Sequence, residues 1–173
     1  DVVDYGVNHN NVVDANYGYG AGAYHEDLDR VYWAPYTNND PRWLYLDVGT
    51  GQVDFVVPQT TLTAGSFKYT EAVYCETQKR VYFIPAAEAT QTNWQYVDSA
   101  GDIQQFTHGQ TMQTNAYWGG TYCPSNDRIY MIPYGQADQT TWHYIDCSTV
   151  IAANIVVPYV HGIAGIIDQA YRH

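Results

Sequence analysis

Positive charge is scarce in this chain. Seven Lys and Arg, only two of them Lys, stand against eighteen Asp and Glu, for a formal net charge of −11. A surface so poor in cations cannot neutralise a phosphate backbone, which argues against nucleic acid as a partner. Cysteine is sparse as well: Cys75, Cys123 and Cys147 make an odd count, far below that of small disulfide scaffolds, so disulfides are not what holds the fold. The expectation is free, mostly buried thiols, with Cys75 and Cys123 packed alike because they share one repeat position, and Cys147 too far from Cys123 to bridge it. No run approaches the roughly 18–20 apolar residues of a membrane span, so no insertion into a bilayer is expected. Helical periodicity with convincing caps is missing over any ten residues, 162–171 being better read as extended. No Asn-x-Ser/Thr acceptor occurs.

Recognisable catalytic and ligand motifs are missing too. There is no HExxH, CxxC, GxSxG or P-loop, and the glycines of 18–22 (GYGAG) precede no helix that could hold a phosphate. His9, His25, His108, His143, His161 and His173 follow no metal-ligand spacing. His143 reads as a tolerant, partly exposed strand position, because its repeat equivalents are Leu44 and Gln95. The carboxylates Glu26, Asp27 and Asp29 could suit Ca²⁺, but their counterparts in the other repeats are not acidic, which favours a solvated turn. No cofactor and no metal are expected.

What the chain has in abundance is aromatic surface: eighteen Tyr, five Trp and four Phe in 173 residues. These rings recur in phase. Three segments align, 24–47 (YHEDLDRVYWAPYTNNDPRWLYLD), 74–98 (YCETQKRVYFIPAAEATQTNWQYVD) and 122–146 (YCPSNDRIYMIPYGQADQTTWHYID). Arg30, Arg80 and Arg128 are 50 and 48 residues apart, and Trp43, Trp94 and Trp142 are 51 and 48 apart. Asp47, Asp98 and Asp146 close the three units. A repeat of this length is one supersecondary unit laid down several times.

Each unit reads as four strands. The first ends near Tyr24, Tyr74 or Tyr122. The second covers 30–35, 80–85 or 128–133, and its proline ends it because proline cannot donate to a ladder. The third alternates over 43–47, 94–98 or 142–146, with Trp and Tyr on one side. The closing Asp then starts a turn by accepting backbone N–H groups, and the fourth strand covers 53–57, 103–107 or 155–160. Four strands per roughly 50 residues define an all-β chain, a β-propeller of four-stranded antiparallel blades about 49 residues long. The conserved-phase rings Trp43, Trp94 and Trp142, with Arg30, Arg80 and Arg128, read as structural filling of the wedge between blades.

The blades are expected at 17–57, 67–107 and 115–160 of a single segment spanning 1–173. Residues 1–7 read as the last strand of a preceding blade and 163–173 as the first strand of a following one. Both ends then cut a blade, which points to a longer propeller or to further copies of the chain as partners.

The unit Arg-[Val/Ile]-Tyr-x-[Ala/Ile]-Pro…Trp-x-Tyr-[Leu/Val/Ile]-Asp resembles Kelch- and NHL-type propeller repeats. More narrowly, it resembles the Arg/Lys-Ile-Tyr-x-Ile-Pro-Tyr…Tyr-Ile-Asp repeats of phage and large-virus virion proteins, including tail, fibre and surface components. It departs from WD40 repeats (no Gly-His…Trp-Asp), from Kelch proper (a Gly pair only at Gly119–Gly120) and from sialidases (no Ser-x-Asp-x-Gly-x-x-Trp). The resemblance implies an extracellular or virion location and a structural or surface-binding role, more in keeping with a non-enzyme.

In a propeller, the connections from fourth to first strand and from second to third share one face. That face is expected to gather Tyr17, Tyr19, Tyr69, Tyr117, Trp118, Tyr36 and Tyr134 with loops rich in Asn, Gln, Thr and Gly. Flat rings beside neutral polar groups suit a sugar. The expected function is therefore a propeller module contacting neighbouring subunits or a host glycan. The alternatives are a lectin-like propeller and a propeller enzyme acting on polysaccharide through carboxylates near the centre.

Overall fold

The computed structural model describes residues 18–37, 42–57, 68–148 and 155–160. The expected end strands at 1–7 and 163–173 lie outside them. Twelve strands run in order: β1 (Tyr19–His25), β2 (Arg30–Pro35), β3 (Trp43–Asp47), β4 (Gln52–Val56), β5 (Tyr69–Cys75), β6 (Arg80–Pro85), β7 (Asn93–Val97), β8 (Ile103–Thr107), β9 (Tyr117–Cys123), β10 (Arg128–Pro133), β11 (Thr141–Asp146) and β12 (Val156–Val160). They form three four-stranded antiparallel sheets, β1–β4, β5–β8 and β9–β12, each a simple meander. These are the blades of a β-propeller, numbered 1 to 3 below.

The repeat motif is explained by what its residues touch. Arg30 pairs in register with Asp47 and Arg128 with Asp146. The tyrosine two residues on faces a tyrosine of the third strand: Tyr32 opposite Tyr45, Tyr82 opposite Tyr96, Tyr130 opposite Tyr144. Their ring centroids lie 5.5, 5.6 and 5.7 Å apart. Each arginine lies over the third-strand ring, at 4.3 Å for Arg30, 4.9 Å for Arg80 and 4.2 Å for Arg128. Arg-x-Tyr and Tyr-x-Asp are thus two halves of one cross-strand stack, in which cation–π attraction adds to ring packing.

The second strands all end at their prolines, and the aspartates cap the turns that follow β3, β7 and β11. Asp47 Oδ1 accepts from the Thr50 N–H at 2.9 Å, Asp98 Oδ1 from that of Ala100 at 2.9 Å, and Asp146 Oδ1 from that of Ser148 at 3.0 Å. The hairpins between first and second strands close on Asp29, Lys79 and Asp127, each in the left-handed region with φ of 50°, 54° and 55°.

One sheet cannot bury both faces, so the blades pack face to face. The first core joins Tyr32, Ala34, Trp43 and Tyr45 of blade 1 to Tyr69, Ala72, Val81, Phe83, Val97 and Ile103 of blade 2. The second joins Tyr82, Ile84, Trp94, Tyr96 and Phe106 of blade 2 to Tyr117, Ile129, Met131, Ile145 and Val156 of blade 3. Trp43 and Trp94 are almost without exposed surface. First strands approach one another most closely: a Cβ on Gly20 would stand 2.5 Å from the Thr70 carbonyl oxygen. Only glycine fits there.

Two expectations need correcting. His143 is not a partly exposed position but is 2% exposed, its Nδ1 hydrogen-bonded to the Tyr117 hydroxyl at 2.6 Å. Its equivalents Leu44 and Gln95 are buried too, and in blades 2 and 3 that side of the third strand packs on the preceding blade through Val97 and Ile145. Cys75 and Cys123 share a repeat position without sharing an environment. Blade 3 covers Cys75 completely, whereas Cys123 is half-buried and pairs with Ser125.

Candidate functional site

The loop face is assembled by one hydrogen bond repeated in each blade. The residue after the second-strand proline donates its N–H to the residue before the first strand: Tyr36 to Gly18 (3.1 Å), Ala86 to Lys68 (2.9 Å) and Tyr134 to Ala116 (2.8 Å). A further bond crosses blades, from the Lys68 N–H to the Tyr36 carbonyl at 2.8 Å. The opposite face has its own recurring bond, from Val48 to the Asp29 carbonyl (2.8 Å) and from Cys147 to that of Asp127 (2.9 Å). The two sets of connections therefore separate onto two faces.

On the loop face, three of the aromatic residues singled out from the sequence come together. Tyr36 of blade 1 meets Trp118 of blade 3 edge to face, with centroids 5.9 Å apart and planes at 88°. Trp118 in turn lies 5.1 Å from Tyr134, at 45°. Trp118 is 44% and Tyr134 54% exposed, with Ile132 exposed beside them. Tyr36 and Tyr134 occupy the same repeat position. Blade 2 carries Ala86 there, and Thr70 at the position of Trp118, so no ring of its own stands at either place.

The other sequence candidates are placed differently. Tyr69 and Tyr117 have no exposed surface. The Tyr69 hydroxyl accepts the Gln95 N–H at 3.1 Å, and that of Tyr117 binds His143, which removes both rings from any surface. Tyr19 is half-buried and its hydroxyl donates to the Arg42 carbonyl at 3.4 Å. Tyr17 lies outside the described residues. The repeat residues Arg30, Arg80, Arg128, Asp47, Asp98, Asp146, Trp43, Trp94 and Trp142 stand in the sheets and their turns.

Sequence reasoning missed the charged groups near this face. Glu88, in the loop after β6, is 5% exposed and Lys68 is 4% exposed. Burial pushes the Glu88 carboxyl up to about 7, opposed by the charge of Lys68, and burial lowers the Lys68 ammonium. Glu71 of β5 accepts the Gly120 N–H at 2.9 Å, and a Cβ on Gly119 would stand 2.6 Å from the same carboxylate. The Gly119–Gly120 pair is the sequence signal for that approach. His143, pushed down to about 4 by burial, and His108, also lowered by burial, are neutral core groups. His108 stacks on Trp94 at 4.3 Å and donates through Nε2 to the Gln91 carbonyl.

On the opposite face, Asp27 pairs with Lys79 at 3.6 Å and Asp29 accepts from the Tyr24 hydroxyl at 2.8 Å, tying the acidic turn to protein partners. Nearby, the Sγ atoms of Cys75 and Cys147 and a carboxylate oxygen of Asp127 lie within 4.8 Å of one another. The Cys147 thiol donates to the Ile145 carbonyl at 3.9 Å, and the closeness of the two sulfurs lowers the Cys75 thiol while raising that of Cys147, which burial raises further.

Fold and sites together define a segment of a β-propeller, and structural comparison places it among known ones. Virginiamycin B lyase from Staphylococcus aureus superposes with a TM-score of 0.55 at 14% identity, over 86% of this chain and 43% of that one. A streptogramin B lyase structure gives 0.55 at 15% identity, over 90% and 44%. The hydrazine synthase of Kuenenia stuttgartiensis gives 0.51 at 13%, over 83% and 37%. The chain thus spans under half the length of each of these three structures, and identities this low show the fold alone. No protein-family model and no curated protein matches the chain. Among the described residues, no helix is long and apolar enough to cross a membrane.

Proposed function

We propose that this chain is a binding module: a stretch of a larger β-propeller whose loop face takes up a carbohydrate on Tyr36, Trp118 and Tyr134. The meeting of the half-buried Tyr36 ring of blade 1 with the exposed Trp118 and Tyr134 rings of blade 3 carries this reading. A sugar presents flat C–H faces that stack on aromatic rings, and its hydroxyls need neutral donors and acceptors of the kind the surrounding loops supply. An excess of acid over base disfavours phosphorylated or sulfated ligands and suits a neutral glycan. The role is non-enzymatic, in a virion or other extracellular assembly, with further blades or further copies of the chain as neighbours. The repeat resemblance and the low lysine content support that placement.

A second reading, a polysaccharide-acting enzyme, draws on Glu88. A carboxyl raised to about 7 has the protonation suited to a general acid. At 5% exposure, however, it presents little surface to a substrate, whereas Trp118 and Tyr134 present theirs openly. A glycan array probed with this chain and with Trp118→Ala separates the readings. Binding that disappears in Trp118→Ala supports the module. An array without hits removes it, and release of reducing ends that Glu88→Gln abolishes favours the enzyme.

A further inference from the structure

We propose that Cys75, Asp127 and Cys147 form a binding site for a thiophilic divalent cation, best suited to Zn²⁺, at the turn-side rim where blades 2 and 3 meet. The three residues come from separate stretches of chain. Cys75 ends β5, Asp127 is the left-handed residue that closes the β9–β10 hairpin, and Cys147 follows β11. Their ligand atoms already lie within 4.8 Å of one another. Tetrahedral zinc, with bonds of about 2.3 Å to sulfur and about 2.0 Å to oxygen, holds its ligand atoms roughly 3.3–3.8 Å apart. Small side-chain adjustments close that difference.

The surroundings brace the donors as the outer shell of a metal site does. The Cys147 N–H donates to the Asp127 carbonyl at 2.9 Å, and Gln78 Nε2 of blade 2 donates to the Cys147 carbonyl at 2.8 Å. The Tyr122 hydroxyl donates to Asp127 Oδ1 at 2.8 Å and is itself hydrogen-bonded to Thr77 at 3.1 Å. That leaves the second carboxylate oxygen for the cation. Among the described residues no Lys or Arg forms an ion pair with Asp127. Asp127 is half-buried, which allows water to complete the coordination.

The neighbouring interface supplies a contrast. There the equivalent positions are His25, Lys79 and Ser99, and His25 Nε2 simply donates to the Lys79 carbonyl at 3.1 Å. The thiol–carboxylate set is therefore no consequence of the repeat. Binding releases thiol protons to solvent and ties blade 2 to blade 3.

The test is titration of the reduced, chelator-treated chain with Co²⁺ as the spectroscopic probe, then with Zn²⁺. Expected are one equivalent of tight binding, thiolate-to-cobalt charge-transfer absorption, displacement by Zn²⁺ and a rise in Tm with Zn²⁺. Cys75→Ser and Cys147→Ser should lose the absorption, Asp127→Asn should weaken binding at least tenfold, and Cys123→Ser should leave it intact. Should a serine variant fail to fold, the Cys123→Ser and Asp127→Asn results still decide. No charge-transfer absorption in the wild-type chain, absorption that depends on Cys123, or a Cys75–Cys147 disulfide that persists under reducing conditions would overturn the proposal.

Discussion

The interface between blades 1 and 2 and that between blades 2 and 3 are built from the same repeat positions, yet they differ in their polar chemistry. Both bury a third-strand tryptophan. Trp43 sits 4.2 Å from Phe83, and its indole N–H finds no partner among the described residues. Trp94 stacks on His108 and donates to the Glu88 carbonyl at 3.0 Å. At the turn-side rim, one interface has a histidine on a carbonyl and the other two thiols beside a carboxylate. Ring packing is what the repeat conserves, and the polar groups at its margins vary from blade to blade.

The largest expected effect comes from removing those rings. Trp43→Ala and Trp94→Ala should each lower stability by about 3–5 kcal/mol in urea unfolding, since each empties a packed interface. A loss well below this at either site would mean that the blades are not held by these cores. Trp94→Phe should cost about 1 kcal/mol more than Trp43→Phe, because only Trp94 loses a hydrogen bond. Equal costs would erase the distinction drawn between the interfaces.

Next is the buried pair of blade 3. Tyr117→Phe strands the His143 nitrogen and should cost about 1–3 kcal/mol. Replacing His143 with Gln, the residue blade 2 uses at that position, should instead alter the pH profile. His143 is neutral in the folded protein, with its folded value near 4, below the ordinary 6.5. Its contribution is thus complete above about pH 6.5 and is lost as pH falls towards 4. Glu88 acts in the opposite sense. Its folded value of about 7 lies above the ordinary 4.5, so its contribution is complete below pH 4.5 and is lost as pH rises through 7. In denaturant midpoints measured across this range, His143→Gln should flatten the acid limb and Glu88→Gln the neutral one. Unchanged limbs would contradict the burial assigned to these groups.

The smallest effect concerns the exposed edge of the stacks. Arg128→Lys keeps the charge but loses the flat guanidinium over Tyr144, and should lower the urea midpoint less than any substitution above. A larger loss would give these arginines a greater part in the sheets than the geometry supports.

Much of the blade was legible in the sequence because its strands carry their own punctuation: Arg-x-Tyr opens the second strand, proline ends it, and Asp closes the third. The burial of His143 could have been read from Leu44, which occupies the same position in blade 1. The meeting of Tyr36 with Trp118 could not, since it depends on how blades are set around an axis and on blade 2 carrying Ala86 and Thr70 where rings could have stood. The proximity of Cys75 to Cys147 was hidden for a related reason. They occupy different repeat positions in successive blades, and only face-to-face packing aligns the end of one first strand with the turn of the next blade.

The aromatic surface depends most on blades 1 and 3 converging on one face. Nuclear Overhauser contacts between the Tyr36 ring and the Trp118 indole measure this directly, because centroids 5.9 Å apart place their protons within reach of each other. Cross-peaks between the two rings are the predicted result. Their absence, with both rings assigned and the chain folded, would contradict the arrangement and the binding surface built on it.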